Sequence, residues 1–251
     1  MAKVKKSSVI LTCLLLALLC GVLFYIEGNA SKYIIRITRL CAINIVLALS
    51  MNLVNGFTGI FSLGHAGFMA IGAYSVALLT IPVAKKETIF MLEPLIAPLN
   101  TLTLPFGVAL IIGGLLAAAL AFLIGLPCLR LRGDYLAIAT LGFSEIIRII
   151  ITNAQCLTNG AQGLKSIPAT ANIWWCYGIA LATIIFIALL ISSSYGRAFK
   201  AIREDEIAAE SMGVSLLRHK MLSFMLSAFL AAVGGGLFAS YIGTIGPDVF
   251  Q

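Results

Sequence analysis

The chain alternates between long apolar stretches and short polar connections. Seven stretches of 15 to 25 residues are almost entirely apolar, and they cover residues 9–26, 40–54, 66–83, 105–129, 135–151, 173–191 and 221–242. About 20 residues of α-helix cross the hydrocarbon core of a bilayer, and a helix satisfies its own backbone hydrogen bonds there. The pattern therefore predicts an all-α, polytopic helical membrane protein with about seven spans, organised as a single transmembrane domain over residues 1–251.

Residues 192–220 interrupt this pattern with a dense run of charges, and we call them the charged segment. The segment holds five of the seventeen basic residues and four of the ten acidic residues, in a chain that is 61% hydrophobic. A densely charged helical segment between two spans has to lie in water, because burying charge in lipid is costly. We interpret it as a surface that another protein binds.

Composition and charge support the membrane class and suggest an orientation. Only 11% of the residues are charged, against about 25% in soluble domains. The net charge of +7 does not indicate nucleic-acid binding, because the basic residues are spread over the connections. The six cysteines lack the spacing of metal ligands, so no metal site is predicted. A cytoplasmic N-terminus puts ten basic residues inside and six outside, in line with the positive-inside rule.

Residues 55–67 (NGFTGIFSLGHAG) form a glycine-rich segment between two predicted spans. Each glycine weakens a helix by about 1 kcal/mol relative to alanine, and irregular backbone at membrane depth has to be buried in protein or line a watery cavity. The segment is therefore either a close-packing site or part of a translocation path. The candidate path residues are Asn52, Ser62, Gly64 and His65. A lone histidine is more often a hydrogen-bonded structural residue, and a spanning asparagine more often joins helices.

Glu145 and Arg148 are the ionisable residues inside an apolar stretch. Their i, i+3 spacing puts them on one helix face, where their charges can neutralise each other. Intramembrane charge indicates a functional site, which adds Glu145 to the candidate path residues. The alternative is that this part of the helix lies at the membrane interface, where the charged groups reach water.

The sequence lacks the motifs of the common enzyme classes. It contains no GxxxxGK[ST] loop for nucleotide phosphates and no HExxH or GxSxG motif. No catalytic residue is therefore assigned, and we expect a transport subunit without its own ATPase motif, driven by a partner protein.

Four stretches, in this order along the chain, resemble the permeases of branched-chain amino acid ABC transporters, specifically the LivM type. They are NLVNGFTGIFSLGHAGFMAIGAY at 52–74, GDYLAIATLGFSEIIRIIITN at 133–153, TNGAQGLKSIP at 158–168 and GRAFKAIREDEIAAESMG at 196–213. The last stretch is similar to the short EAA-x-x-x-G element of importer permeases. Ala208, Ala209 and Gly213 match that element, and Ile207 replaces its glutamate.

The resemblance implies an ATP-driven importer for branched-chain amino acids in the bacterial inner membrane. Its implied partners are two cytoplasmic ATPase subunits that bind the ATP, a second related permease subunit and an extracytoplasmic amino-acid-binding protein, while this chain holds no cofactor. Residues 192–220 would be the cytoplasmic coupling loop, and the implied ATPase contacts are Arg203, Glu206, Ala208, Ala209 and Gly213. Family members continue beyond the position of Gln251, so a truncated or shortened variant is expected.

Two alternatives to this importer remain open. The glycine-rich segment and Glu145 are compatible with a self-powered secondary transporter, in which Glu145 would be a proton or ion site. The missing further spans are compatible with a membrane scaffold that transports nothing.

Overall fold

The chain folds into helices joined by short connections. The computed structural model describes residues 6–90, 95, 99–131 and 133–250, and for residues 6–16 the backbone alone. The helices of this described part are α1 Lys6–Asn29, α2 Lys32–Asn52, α3 His65–Thr80, α4 Val83–Ile89, α5 Phe106–Cys128, α6 Asp134–Asn153, α7 Gln155–Thr158, α8 Ile173–Ser192, α9 Ser194–Glu204, α10 Glu206–Ser211 and α11 Leu216–Ile242. The described residues contain no β-strand, so the all-α prediction is confirmed.

Five described helices are long and apolar enough to cross a membrane, namely α2 with the π-helical turn that extends it, α5, α6, α8 and α11. A sixth candidate span is α3 with α4, which meet at a bend of 119°. The seventh predicted span, residues 9–26, falls in α1, whose side chains before Ala17 lie outside the described residues. The prediction of a polytopic helical membrane protein is confirmed, and its count of seven spans is approximate.

Helix α2 begins eight residues before the predicted span at residue 40. The side chain of Ser31 accepts a hydrogen bond from the backbone N–H of Ile34 at 3.5 Å, which caps the helix. Lys32, Arg36 and Arg39 therefore belong to the first turns of α2 and not to a loop. The hydropathy pattern missed these turns because charged residues at a membrane edge continue a helix without being apolar.

Helix α11 lies at the centre of the bundle and packs most extensively on α3, α5 and α2. Small residues make this possible. A Cβ atom on Gly72 of α3 would collide with the backbone of Ala232, and one on Gly235 of α11 would collide with the backbone of Met69. Such small residues let helix backbones approach closely in membranes, where lipid gives little hydrophobic drive for association.

Three clusters of buried side chains follow one another along α11. Met221 and Phe224 belong to the first cluster, with residues of α5, α6 and the α2–α3 connection. Val233 and Leu237 belong to the second, with residues of α2, α5 and α8. Ala239 belongs to the third, with Leu164 of the connection before α8 and Ile245 of the connection after α11. The connections therefore gather at two ends, as the alternating topology predicts.

We call the end that carries the α2–α3 connection and α9–α10 the charged end. The opposite end carries the connections after α3, α6 and α11. There, Leu164 and Ile245 exchange backbone hydrogen bonds of 2.9 Å, and the indole N–H of Trp174 donates to the carboxylate of Glu27 at 2.7 Å. The backbone pairing joins the connection before α8 to the connection after α11, and the indole contact joins α8 to α1.

Candidate functional site at the charged end

Helices α9 and α10 form a bent pair of short helices that projects from the charged end. The bend falls at Asp205, whose backbone is extended and whose carboxylate accepts hydrogen bonds from the N–H groups of Ile207 at 2.8 Å and Ala208 at 3.1 Å. Aspartate is a preferred N-cap residue because it satisfies N–H groups that have no partner within the helix. Asp205 therefore ends α9 and starts α10 at a defined angle.

The short helix α10 presents apolar side chains to its surroundings. Ile207 is 71% exposed and Met212 is 84% exposed, whereas Ala209 is buried against the rest of the protein. Ile207 and Met212 are thus open apolar positions on an otherwise charged segment. Gly213 ends α10 with φ +83° and has open space around it, so it supplies a sharp exit and not a close packing point.

Arg203 joins α9 to the α2–α3 connection. Its Nη1 atom donates a hydrogen bond to the carbonyl oxygen of Gly56 at 3.1 Å, and its guanidinium group also pairs with Glu204. Its side chain lies over Gly59, where a Cβ atom would come within 2.8 Å of Arg203 Cγ. Gly59 also has φ +72°, so the connection needs glycine here for two reasons.

A second contact joins α10 to the central helix. The ammonium group of Lys220, on α11, donates to the carboxylate of Glu206 at 2.5 Å. The Lys220 side chain is 6% exposed and the Glu206 side chain is 38% exposed. A lysine this deeply buried needs a partner for its charge, so Glu206 is held in place by α11.

The predicted path residues Ser62 and Gly64 lie in the α2–α3 connection. The backbone N–H of Ser62 donates to the Asn55 side-chain oxygen at 3.3 Å, and that of Leu63 donates to the hydroxyl of Thr140, on α6, at 3.1 Å. A Cβ atom on Gly64 would lie 2.9 Å from the carbonyl oxygen of Thr140. Ser62 and Gly64 are therefore packed against protein, whereas Phe61 and Leu63 beside them are exposed.

His65, the first residue of α3, is hydrogen-bonded to α2. Its Nε2 atom lies 2.8 Å from the hydroxyl of Ser50, and that hydroxyl donates to the carbonyl oxygen of Leu47 at 2.7 Å. Because the hydroxyl has a single proton, His65 Nε2 is the donor to Ser50. Ser227 of α11 donates to the carbonyl oxygen of Ser50 at 2.8 Å. His65 thus belongs to a polar link between α2, α3 and α11, which favours the structural interpretation.

The structure brings some predicted site residues together and separates one. Asn52 at the end of α2, Ser62, Gly64 and His65 all lie at or near the α2–α3 connection, which Arg203 contacts. Glu145 does not belong to this group, because it lies on α6 and pairs with Arg148. The roles of these residues in a path or in coupling stay predictions.

Sequence reasoning missed the exposed apolar pair of α10 and the anchoring of this short helix by Lys220. The signal for Ile207 and Met212 was present, since both are apolar residues in a run of charges. Lys220 gave no such signal, because its burial depends on how α11 packs. Among the described residues, no three His, Cys, Asp or Glu side chains cluster as metal ligands.

Comparison with known proteins identifies the family. The family described as "Branched-chain amino acid transport system / permease component" matches residues 33–251. The high-affinity branched-chain amino acid transport system permease protein LivM of Escherichia coli K12 is 37% identical over 88% of this chain and 55% of its own length. The protein of the same name in Salmonella typhimurium LT2 is 35% identical over the same shares.

The protein named "Probable branched-chain amino acid transport permease protein LivM" in Methanocaldococcus jannaschii is 24% identical over 82% of this chain and 66% of its own length. No solved structure matches the chain significantly. The chain spans about half the length of the two bacterial relatives. Taken with the helical bundle and the motifs at the charged end, the match over residues 33–251 shows that this chain belongs to the family of permease components of branched-chain amino acid transport systems.

Proposed function

We propose that the chain is the transmembrane permease subunit of an ATP-driven importer for branched-chain, apolar amino acids. The relatives that resemble it are named as permeases of branched-chain amino acid transport systems. In this proposal, residues 1–251 act as one transmembrane domain without an ATPase site of their own. Two separate cytoplasmic ATPase subunits supply the energy, a second related permease subunit completes the pathway, and an extracytoplasmic binding protein delivers the amino acid.

The observation that carries the proposal is the construction of α9–α10. This element exposes Ile207 and Met212 for a partner, and it is tied to the α2–α3 connection through Arg203 and to α11 through Glu206. A short helix with exposed apolar side chains fits a groove on another protein. Movement of a bound ATPase would therefore act directly on the helices of the bundle.

The same proposal fixes the orientation in the membrane. If ATPase subunits bind α9–α10, the charged end faces the cytoplasm and the N-terminus of the chain is cytoplasmic. The opposite end then faces the binding protein outside the bacterial inner membrane. The excess of basic residues on the connections of the charged end supports this orientation.

Co-purification with an ATPase subunit tests the docking step. We expect Met212→Asp, alone or with Ile207→Asp, to abolish capture of co-expressed ATPase subunits in mild detergent, because a charge would be buried in an apolar contact. The matched control is Tyr135→Asp, which changes a 75% exposed residue at the start of α6 and should leave capture unchanged. Capture of the ATPase by the Met212→Asp protein at the wild-type level would contradict the docking surface.

Uptake into vesicles tests the transport step. Wild-type protein with its partners should accumulate leucine, isoleucine or valine only when ATP is supplied. Uptake that persists without ATP and collapses with the proton gradient would show a secondary transporter instead. The absence of any uptake that depends on the chain would show a scaffold.

A further inference from the structure

Helix α6 carries an exposed stripe along the whole of its length. The helix packs on α3 with one face, and its outward face includes Ile138, Leu141, Ile149 and, between them, Glu145 and Arg148. No described residue within 4 Å would meet a Cβ atom added to Gly142 on the same face. The stripe is therefore apolar except for the charged pair Glu145 and Arg148 near its middle.

The two charged groups at that position form an ordered pair. Arg148 Nε donates to Glu145 Oε2 at 2.9 Å, and a second bond joins Arg148 Nη2 to Glu145 Oε1. The side chains nevertheless remain open to their surroundings, with 48% of Glu145 and 30% of Arg148 exposed.

Glu145 lies well inside the span, and Arg148 lies roughly 7.5 Å from the end of the helix. Glu145 is roughly 16 Å from the start of α6 and roughly 12 Å from its end at about 1.5 Å per residue. Gly67 of α3 packs on Ser144, and Gly72, further along α3, packs on Ala232 in the interior of α11. Charged groups at this depth face a bundle interior or a watery cavity and avoid lipid. This placement favours the intramembrane interpretation of Glu145 over the interfacial one.

We propose that Glu145 and Arg148 bind the charged groups of an α-amino acid as it crosses, with Arg148 receiving the carboxylate and Glu145 the ammonium group. The inference rests on the proposed function and assigns its substrate contact. An amino acid is a zwitterion at neutral pH, and its ammonium and carboxylate groups are both bonded to the same carbon atom. Glu145 and Arg148 are one helical turn apart, so they can meet both charges at once.

The surroundings of the pair match the rest of such a substrate. Leu141 lies one turn before Glu145, and Ile149 lies one turn after it, and both are about half exposed. They offer an apolar surface beside the charges, which suits an aliphatic side chain. Arginine binds carboxylates through two parallel N–H groups, and lysine in the same place could not reproduce that geometry.

The pairing of Glu145 with Arg148 also explains how two charged groups are tolerated at this depth when no substrate is bound. Without substrate, Glu145 and Arg148 neutralise each other. With substrate, one ion pair is exchanged for two, so neither side chain is left with an uncompensated charge. Such an exchange gives weak binding, because the new pairs replace an existing one. Weak binding suits a site that has to release its substrate.

Photo-crosslinking to the assembled transporter tests the assignment without requiring uptake. The probe is photo-leucine, a diazirine analogue of leucine, and the readout is the yield of labelled α6 peptide by mass spectrometry. Three competitors are added: leucine, leucinamide, which lacks the carboxylate, and 4-methylpentanoate, which lacks the ammonium group. In the wild type, leucine should compete at least about tenfold more strongly than either analogue, because each analogue loses one charge-assisted contact.

Each single variant should lose the preference for leucine over one of the two analogues. In Arg148→Gln, leucine and leucinamide should compete equally, while 4-methylpentanoate stays weak. In Glu145→Gln, leucine and 4-methylpentanoate should compete equally, while leucinamide stays weak. Asp134→Asn, at the start of the same helix, is the matched control and should keep the wild-type ranking. Arg148→Lys retains the charge and should keep part of the preference for leucine over leucinamide if the other variants fold poorly.

A double variant that exchanges the charges, Glu145→Arg with Arg148→Glu, separates recognition from structure. It preserves the ion pair, so a structural pair or a contact between two permease subunits should survive it, whereas a substrate site should lose most of the leucine-competed labelling.

Full labelling by this double variant, together with loss of subunit assembly in the single variants, would overturn the assignment in favour of a subunit contact. Labelling of α6 that leucine does not compete, or an unchanged ranking in both single variants, would also overturn it. Failure of ATP-dependent uptake by the wild type would count against the proposed function alone.

Discussion

At the scale of single residues, two buried polar groups near the opposite end are treated differently by the fold. Lys86 is 1% exposed, and its ammonium group donates to the carbonyl oxygens of Leu99 at 2.6 Å and Leu102 at 2.7 Å. Lys86 lies in α4, and these two carbonyl groups replace the water that burial has removed from its ammonium group. The hydroxyl of Tyr74, in contrast, is buried without a hydrogen-bond partner among the described residues.

The unpaired hydroxyl of Tyr74 leads to a stability prediction. Tyr74→Phe removes a group that has lost its water and gained no partner, so we expect it to raise the free energy of unfolding by about 1 kcal/mol. The measurement is thermal unfolding of the purified protein in detergent. Tyr135→Phe, at a 75% exposed position, is the control and should change nothing. A lower stability of Tyr74→Phe would mean that the hydroxyl is used, most simply by a bound molecule.

At the scale of helices, close approach between α3 and α11 holds the bundle together. The approach occurs where Gly72 meets Ala232 and where Gly235 meets Met69. Gly235 is the middle residue of the run Gly234–Gly236, whereas Gly72 stands among larger residues, and the sequence shows for neither glycine which helix it meets. Small side chains and backbone contact replace the hydrophobic drive that a soluble core would have.

Gly72→Leu should separate the two helices and destabilise the protein by at least about 3 kcal/mol, at or beyond the upper range for overpacked cores, because the backbone of Ala232 cannot yield as a side chain could. The expected result is loss of folded protein in fluorescence-detected size-exclusion chromatography and a lower unfolding temperature. Gly178→Leu on α8 is the matched control, since no described atom within 4 Å would meet its Cβ. Equal behaviour of the two variants would contradict the packing of α3 on α11.

The helices themselves were largely predictable from the sequence. Long apolar runs identify spans because lipid admits little else, and α5, α6 and α8 end within two residues of the predicted limits. Contacts between distant residues were not predictable. Nothing in the local pattern shows that Arg203 reaches Gly56 or that Lys220 is buried beside Glu206, because both depend on how α9–α10 folds back on the bundle.

At the scale of the whole molecule, α9–α10 is connected to the bundle at two separate places. Arg203 contacts the connection between α2 and α3, and Glu206 contacts α11. A force on α10 is therefore transmitted to the central helix α11 and, through their connection, to α2 and α3. Two conformations of the bundle can be favoured by a partner only if the partner interacts differently with each, and in the proposed function that partner binds at α9–α10.

Arg203→Ala should uncouple ATP hydrolysis from transport. The variant loses the hydrogen bond to Gly56 and the packing over Gly59 but keeps the exposed side chains of Ile207 and Met212. We expect ATPase subunits to bind and hydrolyse ATP at near the wild-type rate, while leucine uptake per ATP falls at least about tenfold, as the loss of a charge-assisted contact implies. The control is Arg197→Ala, an exposed arginine on the same helix. A parallel fall of hydrolysis and uptake would point to lost docking instead of lost coupling.

The central position of α11 also has a consequence for how the protein is made. Residues 216–242 leave the ribosome after α2, α3 and α5, yet these earlier helices pack around α11. Until α11 has been inserted, the glycine and alanine surfaces of these helices have no helix to pack against. The earlier helices can enter the membrane one by one, but the bundle can close only after α11 has been synthesised. Between the insertion of these helices and the insertion of α11, their packing surfaces are therefore exposed. During that interval only the membrane, or a factor that covers these surfaces, can prevent non-native helix contacts.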